Sequence, residues 1–333
     1  MSNNKNMLSI GKLMSNRVLM LSTLMLLIII VACTAFPVFG TLNNIKSILL
    51  NASVDAIIAS GMMILLISGV FDLSVGSMIA FSGGIAGTLM YFHDMNTLPV
   101  ILITLSVGIM VGSFTGFVVA YIGVNPMIAT LAMMTVLRGG AMLFCGTGLF
   151  GFPDSFVGIA GISMLGFRAP IWYMLIIGLI LTFLVYKSSF FRRYYYIGGN
   201  EKAAQLSGIN VKKMRLFSYI LTAFLASLGG IIMTSRMASA TSTVGMQQEM
   251  KAISACILGG ASMTGGQGSI PGAILGAIFL GLVQNLLIIG RVPVYWQNIV
   301  TGAVLLIAIL IDVVTVNRAR KMLLASSINE ADE

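Results

Sequence analysis

A chain of 333 residues with 58% hydrophobic side chains, 37 glycines and only 9% charged residues carries more apolar surface than a soluble core can bury. It reads as an integral membrane protein, and its continuous rather than alternating hydrophobicity predicts helices instead of a barrel. The net charge of +9 is first a topology signal, and nucleic-acid binding is a poor reading of it.

Residues 1–17 form an N-terminal tail, and residues 18–315 hold about ten predicted helices near 18–39, 47–68, 74–92, 98–122, 126–145, 170–187, 214–236, 246–264, 270–290 and 294–315. Most are near the twenty or so residues that cross a hydrocarbon core of about 30 Å. The fold class is therefore an all-α membrane protein with one transmembrane domain, followed by a tail at 316–333. Lys12 and Arg17 before the first apolar run resemble a signal peptide, and Cys33 after "IVA" resembles a lipoprotein cleavage site. Cleavage would leave an odd number of spans and put the basic loops on the wrong side, so an uncleaved first helix explains more.

Basic residues set the orientation. With both termini inside, Lys5, Lys12, Arg17, Lys187, Arg192, Arg193, Lys202, Lys212, Lys213, Arg215, Arg318, Arg320 and Lys321 all face the cytoplasm, thirteen of the 19 Lys and Arg. Lys46, Arg168, Arg236 and Arg291 fall at the outer face. The three cysteines, Cys33, Cys145 and Cys256, are isolated in apolar segments and read as small buried hydrophobes. His93, beside Asp94 in a short turn, reads as a solvated loop residue.

Between the second and third spans, "SGVFDLSVGS" (Ser68 to Ser77) interrupts the apolar pattern. Asp72 or Ser74 as an N-cap of the third span accounts for the polarity without a cargo role. "LGGASMTGGQGSIPGAILG" later has the same grammar, with Gly268-Ser269 in register with Gly76-Ser77, and the pair suggests a weak inverted repeat. Asp55 and Arg138 both fall in the outer half of the bilayer, where an ion pair is the expected structural use of each. Glu249, Lys251 and Arg236 lie near the outer mouth.

The longest cytoplasmic loop spans 188–213. Within it Asn200 can accept from the amides of the next turn, Glu201 suits the helix N-terminus, and Gly208 supplies a left-handed stop. "EKAAQLS" is barely two turns and too short to persist alone in water, so something must hold it. No G-x-x-x-x-G-K-S/T loop occurs, so no bound cofactor is expected, and any ATP used must be bound by another subunit. No nucleophile–base or metal-ligand constellation marks an enzyme; catalytic and metal sites are expected to be absent.

"IGGNEKAAQLSGINV" closely resembles the cytoplasmic loop of the ribose-type ABC sugar-importer permeases, a branch of a family that also contains branched-chain amino-acid permeases. "SGVFDLSVGS", "NPMIATLAMMTVLRG" (Asn125 to Gly139), "LGGASMTGGQGSIPGAILGA" (Leu258 to Ala277) and "YWQNIVTGAVLLIAILID" (Tyr295 to Asp312) resemble it in the same order, so that the likeness covers roughly 40–315. The resemblance implies a multi-pass permease of the bacterial inner membrane that works with a cytoplasmic ABC ATPase, an extracytoplasmic sugar-binding protein and a second permease copy or paralogue, in contact with membrane lipid. It makes the loop helix a coupling helix, with Asn200, Glu201, Ala203, Ala204, Leu206 and Gly208 as ATPase contacts.

A sugar's path needs small polar groups, for which Asn125, Thr130, Thr135, Ser254, Gln284 and Asn285 are candidates; helix–helix hydrogen bonding is the rival use of each. Lys46, Arg236, Glu249, Lys251 and Arg291 are candidates for docking the binding protein, although Lys251 stands where the family is usually acidic. The alternatives are a branched-chain amino-acid ABC permease or an ion-driven secondary transporter.

Overall fold

The computed structural model describes residues 17–297, 299, 300, 302–304, 306, 307 and 310. Both tails lie outside those residues apart from Arg17, as do ten of the 22 residues of the last predicted span, for which helix is described at 294–297, 299–300, 302–304, 306–307 and 310. Among the described residues, seven helices are long and apolar enough to cross a membrane.

The first of these, α1 (Arg17–Ala35), packs lightly and leaves most of its apolar surface open, as a lipid-facing helix does. It precedes α2 (Leu42–Ile67), whose first turn is capped by Thr41 Oγ1 accepting from Asn44 N at 3.3 Å. From Ala52 to Ile67 nearly every residue of α2 is buried, so this helix is the centre of the bundle. Next come α3 (Val75–Tyr91) and α4 (Thr97–Phe117), the latter closing in a π turn at Val118–Ile122, and then α5 (Pro126–Cys145).

At one end of the bundle lie β1 (Leu149–Phe150), α6 (Asp154–Gly161), β2 (Ser163–Met164) and β3 (Phe167–Arg168). Pairing of β2 with β3 makes a small hairpin ahead of α7 (Ala169–Lys187). The chain continues through α8 (Ser189–Gly199), α9 (Glu201–Leu206) and α10 (Val211–Met237), and β4 (Ser239–Ala240) returns to pair antiparallel with β1. The last fully described helices are α11 (Gln248–Leu258) and α12 (Ile270–Ile289).

The 27-residue α10 packs along α4, α3 and α2. Its closest approach is to α4, where Gly108, Gly112 and Gly116 form a stripe of small residues at i, i+4 spacing. At Gly112 a Cβ would lie 2.8 Å from both the Ile220 Cα and the Tyr219 carbonyl oxygen, so only glycine admits this backbone contact.

The 246–264 stretch, expected to span, is instead helical only over the 11 residues of α11. That is about 16 Å, roughly half of a hydrocarbon core. The remainder, 259–269, is non-helical and leads to α12, where Ser269 Oγ accepts from Gly272 N at 3.2 Å and Pro271 sits in the first turn. In the break before α3, Asp72 does not cap the helix but closes a turn on its N-cap residue, its Oδ1 accepting from Ser74 N at 2.7 Å and from Ser74 Oγ at 2.6 Å. Ser74 itself makes no side-chain cap to α3.

The two breaks meet each other. Gly266 N donates to the Ile67 carbonyl at 2.9 Å, which ties the second break to the last residue of α2. Tyr219 Oη on α10 donates to Phe71 O at 3.0 Å, and Tyr195 Oη on α8 donates to Gly268 O at 2.8 Å. Backbone freed from helix is thus satisfied by protein, as it must be where water is scarce.

Replacing Gly112 by leucine should overpack the α4–α10 seam and cost about 1–3 kcal/mol. Thermal unfolding of the purified protein in detergent should shift clearly downward, and an unchanged midpoint would mean the seam is not tight.

Candidate functional site

Two constellations stand out, at opposite ends of α10. The first is built on the 188–213 loop. Ser188 Oγ accepts from Phe190 N at 3.3 Å and starts α8, an amphipathic helix that buries Phe191, Tyr194 and Ile197 and exposes Arg192, Arg193 and Tyr196. Phe217 of α10 receives Phe190 edge-on, with ring centroids 5.2 Å apart. Tyr194 Oη donates to Met214 O at 2.8 Å, and burial pushes its phenol well above the usual range, so it stays a donor.

Gly198, at the end of α8, lies flat against both breaks. A Cβ there would overlap the Ile67 carbonyl oxygen and the Gly266 amide nitrogen. One residue separates α8 from α9. Asn200 Oδ1 accepts from Ala203 N at 3.0 Å, and Gly208, at φ +81°, lets Ile209 N reach back to Ala204 O at 3.0 Å.

Ala204 points inward and is 3% exposed, whereas Leu206 is 90% exposed and Ala203 lies on the surface with it. The six expected contact residues therefore divide: Ala203 and Leu206 are open to a partner, Ala204 anchors the helix, and Asn200 and Gly208 define its ends. Glu201 is engaged in a fork with Arg215, at 2.6 Å from Nη2 to Oε2 and 3.2 Å from Nη1 to Oε1, and accepts from Gln205 Nε2 at 3.2 Å. Within its own chain the short helix is positioned by the burial of Ala204 and by the Glu201–Arg215 fork.

The second constellation is a cavity of about 390 Å³ at the other end, among α2, α10, α11 and α12. Asn51, Asp55, Arg236, Gln248, Lys251 and Gln284 line it. Asp55 accepts from Gln248 Nε2, with Lys251 and Arg236 within electrostatic reach. Arg236 donates to Asn51 Oδ1 and to Leu50 O. Asn285 borders the cavity but is committed to a reciprocal amide pair with Asn44, at 2.9 and 3.0 Å.

Asp55 and Arg138 are not paired. Arg138 Nη1 donates to Ser242 O at 2.5 Å and Val244 O at 2.9 Å, and the carboxylate acting on it is Glu249. Sequence depth placed Asp55 and Arg138 at one level, yet the two helices face different neighbours around the bundle. Glu249 is only 9% exposed, so little of it is open at the surface. Lys46 lies over the Phe167 ring at 5.4 Å, and Arg291 is exposed in a turn with φ +54°.

Of the path candidates, only Gln284 and Asn285 reach the cavity. Thr130, Thr135 and Ser254 return their hydroxyls to the carbonyls of Pro126, Leu131 and Met250 on their own helices, and Asn125 caps α5 by accepting from Met127 N at 2.9 Å. Sequence reasoning missed Gln248, Asn44 and Asn51. The signal for the last two was present, since 44, 48, 51 and 55 share one face of a helix.

The family described as "branched-chain amino acid transport system / permease component" matches residues 44–309. The ribose import permease protein RbsC of Escherichia coli (strain K12) is 40% identical over 294 residues, covering 86% of this chain and 91% of that protein. RbsC of Bacillus subtilis (strain 168) is 38% identical over 296 residues, 86% and 89% of the two chains. The L-arabinose ABC transporter permease protein AraH of Azospirillum brasilense is 34% identical over 287 residues, 86% and 84%. No solved structure matches.

Changing Asn285 to leucine should leave the buried Asn44 Oδ1 without its donor, while Asn44 Nδ2 keeps the Phe39 carbonyl, and should cost about 1–3 kcal/mol. The Asn44→Leu/Asn285→Leu double variant should be less destabilised than the sum of the single changes in a detergent melting series, whereas strict additivity would deny the pair.

Proposed function

Because the chain belongs to the permease-component family matched above, in its ribose-type ABC branch, we propose that it is the membrane-spanning subunit through which an ATP-driven importer takes up a sugar. The observation that carries this reading is the likeness to ribose and arabinose permeases along nearly the whole length of both partners. The basic α8–α9 end faces the cytoplasm, in keeping with the distribution of Lys and Arg. A separate ATPase binds ATP and docks on α9 through exposed Ala203 and Leu206. A second permease subunit completes the pore, and an extracytoplasmic binding protein delivers cargo at the opposite end.

The geometry suits such coupling. A push on α9 passes through Gly198 to the residues where α2 ends and the second break turns. Those breaks precede α3 and α12, so a small displacement of one loop reorients two helices that begin inside the protein.

The cavity at the far end favours one second reading. A carboxylate at Asp55 opposite Lys251 and Arg236 would also receive the ammonium and carboxylate of an amino acid, as a branched-chain amino-acid permease requires. Uptake of labelled ribose, arabinose and leucine by cells carrying the complete importer separates the two. Sugar uptake supports the first reading, and leucine uptake alone overturns it.

Leu206→Asp should leave folding intact, since the side chain already faces solvent. In vesicles containing the ATPase and binding protein, transport should fall at least about tenfold with no change in the melting temperature, as expected for an exposed anchor at an interface. Undiminished transport would remove α9 as the coupling element.

A further inference from the structure

The groove beside α8 lies outside the roles given above. It has a volume of about 730 Å³ and runs between the last turn of α7, the outer face of α8 and the start of α12. Val185, Ile270 and Pro271 give it an apolar floor, of which Pro271 is the exposed member and Ile270 is almost fully buried, while Lys187, Arg192 and Tyr196 are exposed beside it. No acidic residue among the described ones lines it.

Both cations are exposed, and neither has a hydrogen-bonded or acidic partner among the described residues; Lys187 Nζ lies 5.5 Å over the Tyr186 ring. Tyr195, which also lines the groove, donates to Gly268 O and fixes the wall of the groove to the second break.

The position of α8 adds an independent argument. A single residue, Ser188, separates it from the membrane-crossing α7, and its sequence "SFFRRYYYIGG" places Phe191, Tyr194 and Ile197 inward with arginine and tyrosine outward. Its apolar face is packed on the protein, and the arginines and tyrosine it leaves exposed lie next to the end of an apolar span, where basic and aromatic residues meet lipid headgroups.

We propose that this groove binds an anionic phospholipid of the adjacent leaflet, its phosphate held by Lys187 and Arg192 and the upper acyl chain on Val185, Ile270 and Pro271. The charge complementarity is direct, because the groove offers two exposed cations with no acidic partner among the described residues, beside an apolar floor. A soluble anion would use the cations and leave that floor without an occupant. The choice of leaflet rests on the reading of the α8–α9 end as cytoplasmic; the site itself does not.

The test is native mass spectrometry of the full-length chain in neutral detergent, with phosphatidylglycerol, phosphatidylcholine or inorganic phosphate added. Phosphatidylglycerol should be retained over phosphatidylcholine. The Lys187→Gln/Arg192→Gln double variant should lose about 25-fold in that retention, at roughly fivefold per basic residue. Arg193→Gln/Lys213→Gln, which removes equal charge at the same end but outside the groove, should retain lipid as the unaltered chain does.

Should the double variant lose its melting transition, Arg192→Lys alone, which keeps the charge, should preserve retention. Equal retention of both lipids, undiminished retention in the folded double variant, or displacement of phosphatidylglycerol by inorganic phosphate would each overturn the proposal. Labelling of Ser207→Cys by a membrane-impermeant thiol reagent reports the side separately, so a wrong orientation and an absent lipid site give different results.

Discussion

The structure depends on a backbone seam: the Ile67 carbonyl accepts from Gly266 N at 2.9 Å while Gly198 lies against both. Three segments far apart in sequence share this point. One is the end of the most buried helix, one is the turn ahead of α12, and one leads into the loop helix. Inside a membrane such irregular backbone survives only if its polar groups are met by protein. Tyr219 and Tyr195 supply two of the partners, and a glycine is required where a side chain would strike the Ile67 carbonyl.

That constraint organises the polar residues at both ends. Near the loop, Glu201 and Arg215 bind α9 to the first turns of α10 through a partly exposed pair, whose worth is modest in water and which acts mainly to fix position. At the far end, Asp55, Arg236 and Lys251 sit around a cavity with Gln248 and Asn51, and the Asn44–Asn285 pair joins α2 to α12. Charges are scarce in this chain: Asp72 closes a turn in the first break, Glu201 and Arg215 join α9 to α10, and Asp55, Arg236 and Lys251 line the far cavity.

Most of the long helices were legible from hydropathy alone, because twenty apolar residues have few other uses. The loop helix was legible as well, since Asn200 and Gly208 carry their capping chemistry in their own identities. Hydropathy did not show that 246–264 contains only a half-length helix, because apolar composition measures affinity for the membrane and not the backbone conformation within it. The Asp55–Arg138 pair failed for a related reason: sequence gives depth along a helix, but not which neighbour faces it. The two-residue strands and α6 were too short to leave any periodicity, and the stabilisation of α9 by Arg215 crosses fourteen positions that no local pattern connects.

If movement of the loop helix reaches the bundle through this seam, a side chain at Gly198 should disconnect the two without preventing assembly. The direct measurement is Gly198→Ala in the complete importer reconstituted in vesicles, scoring ATPase association and cargo uptake together. Association should be retained and uptake reduced at least about tenfold, as when a tightly packed contact is forced apart. Normal uptake by that variant would contradict it.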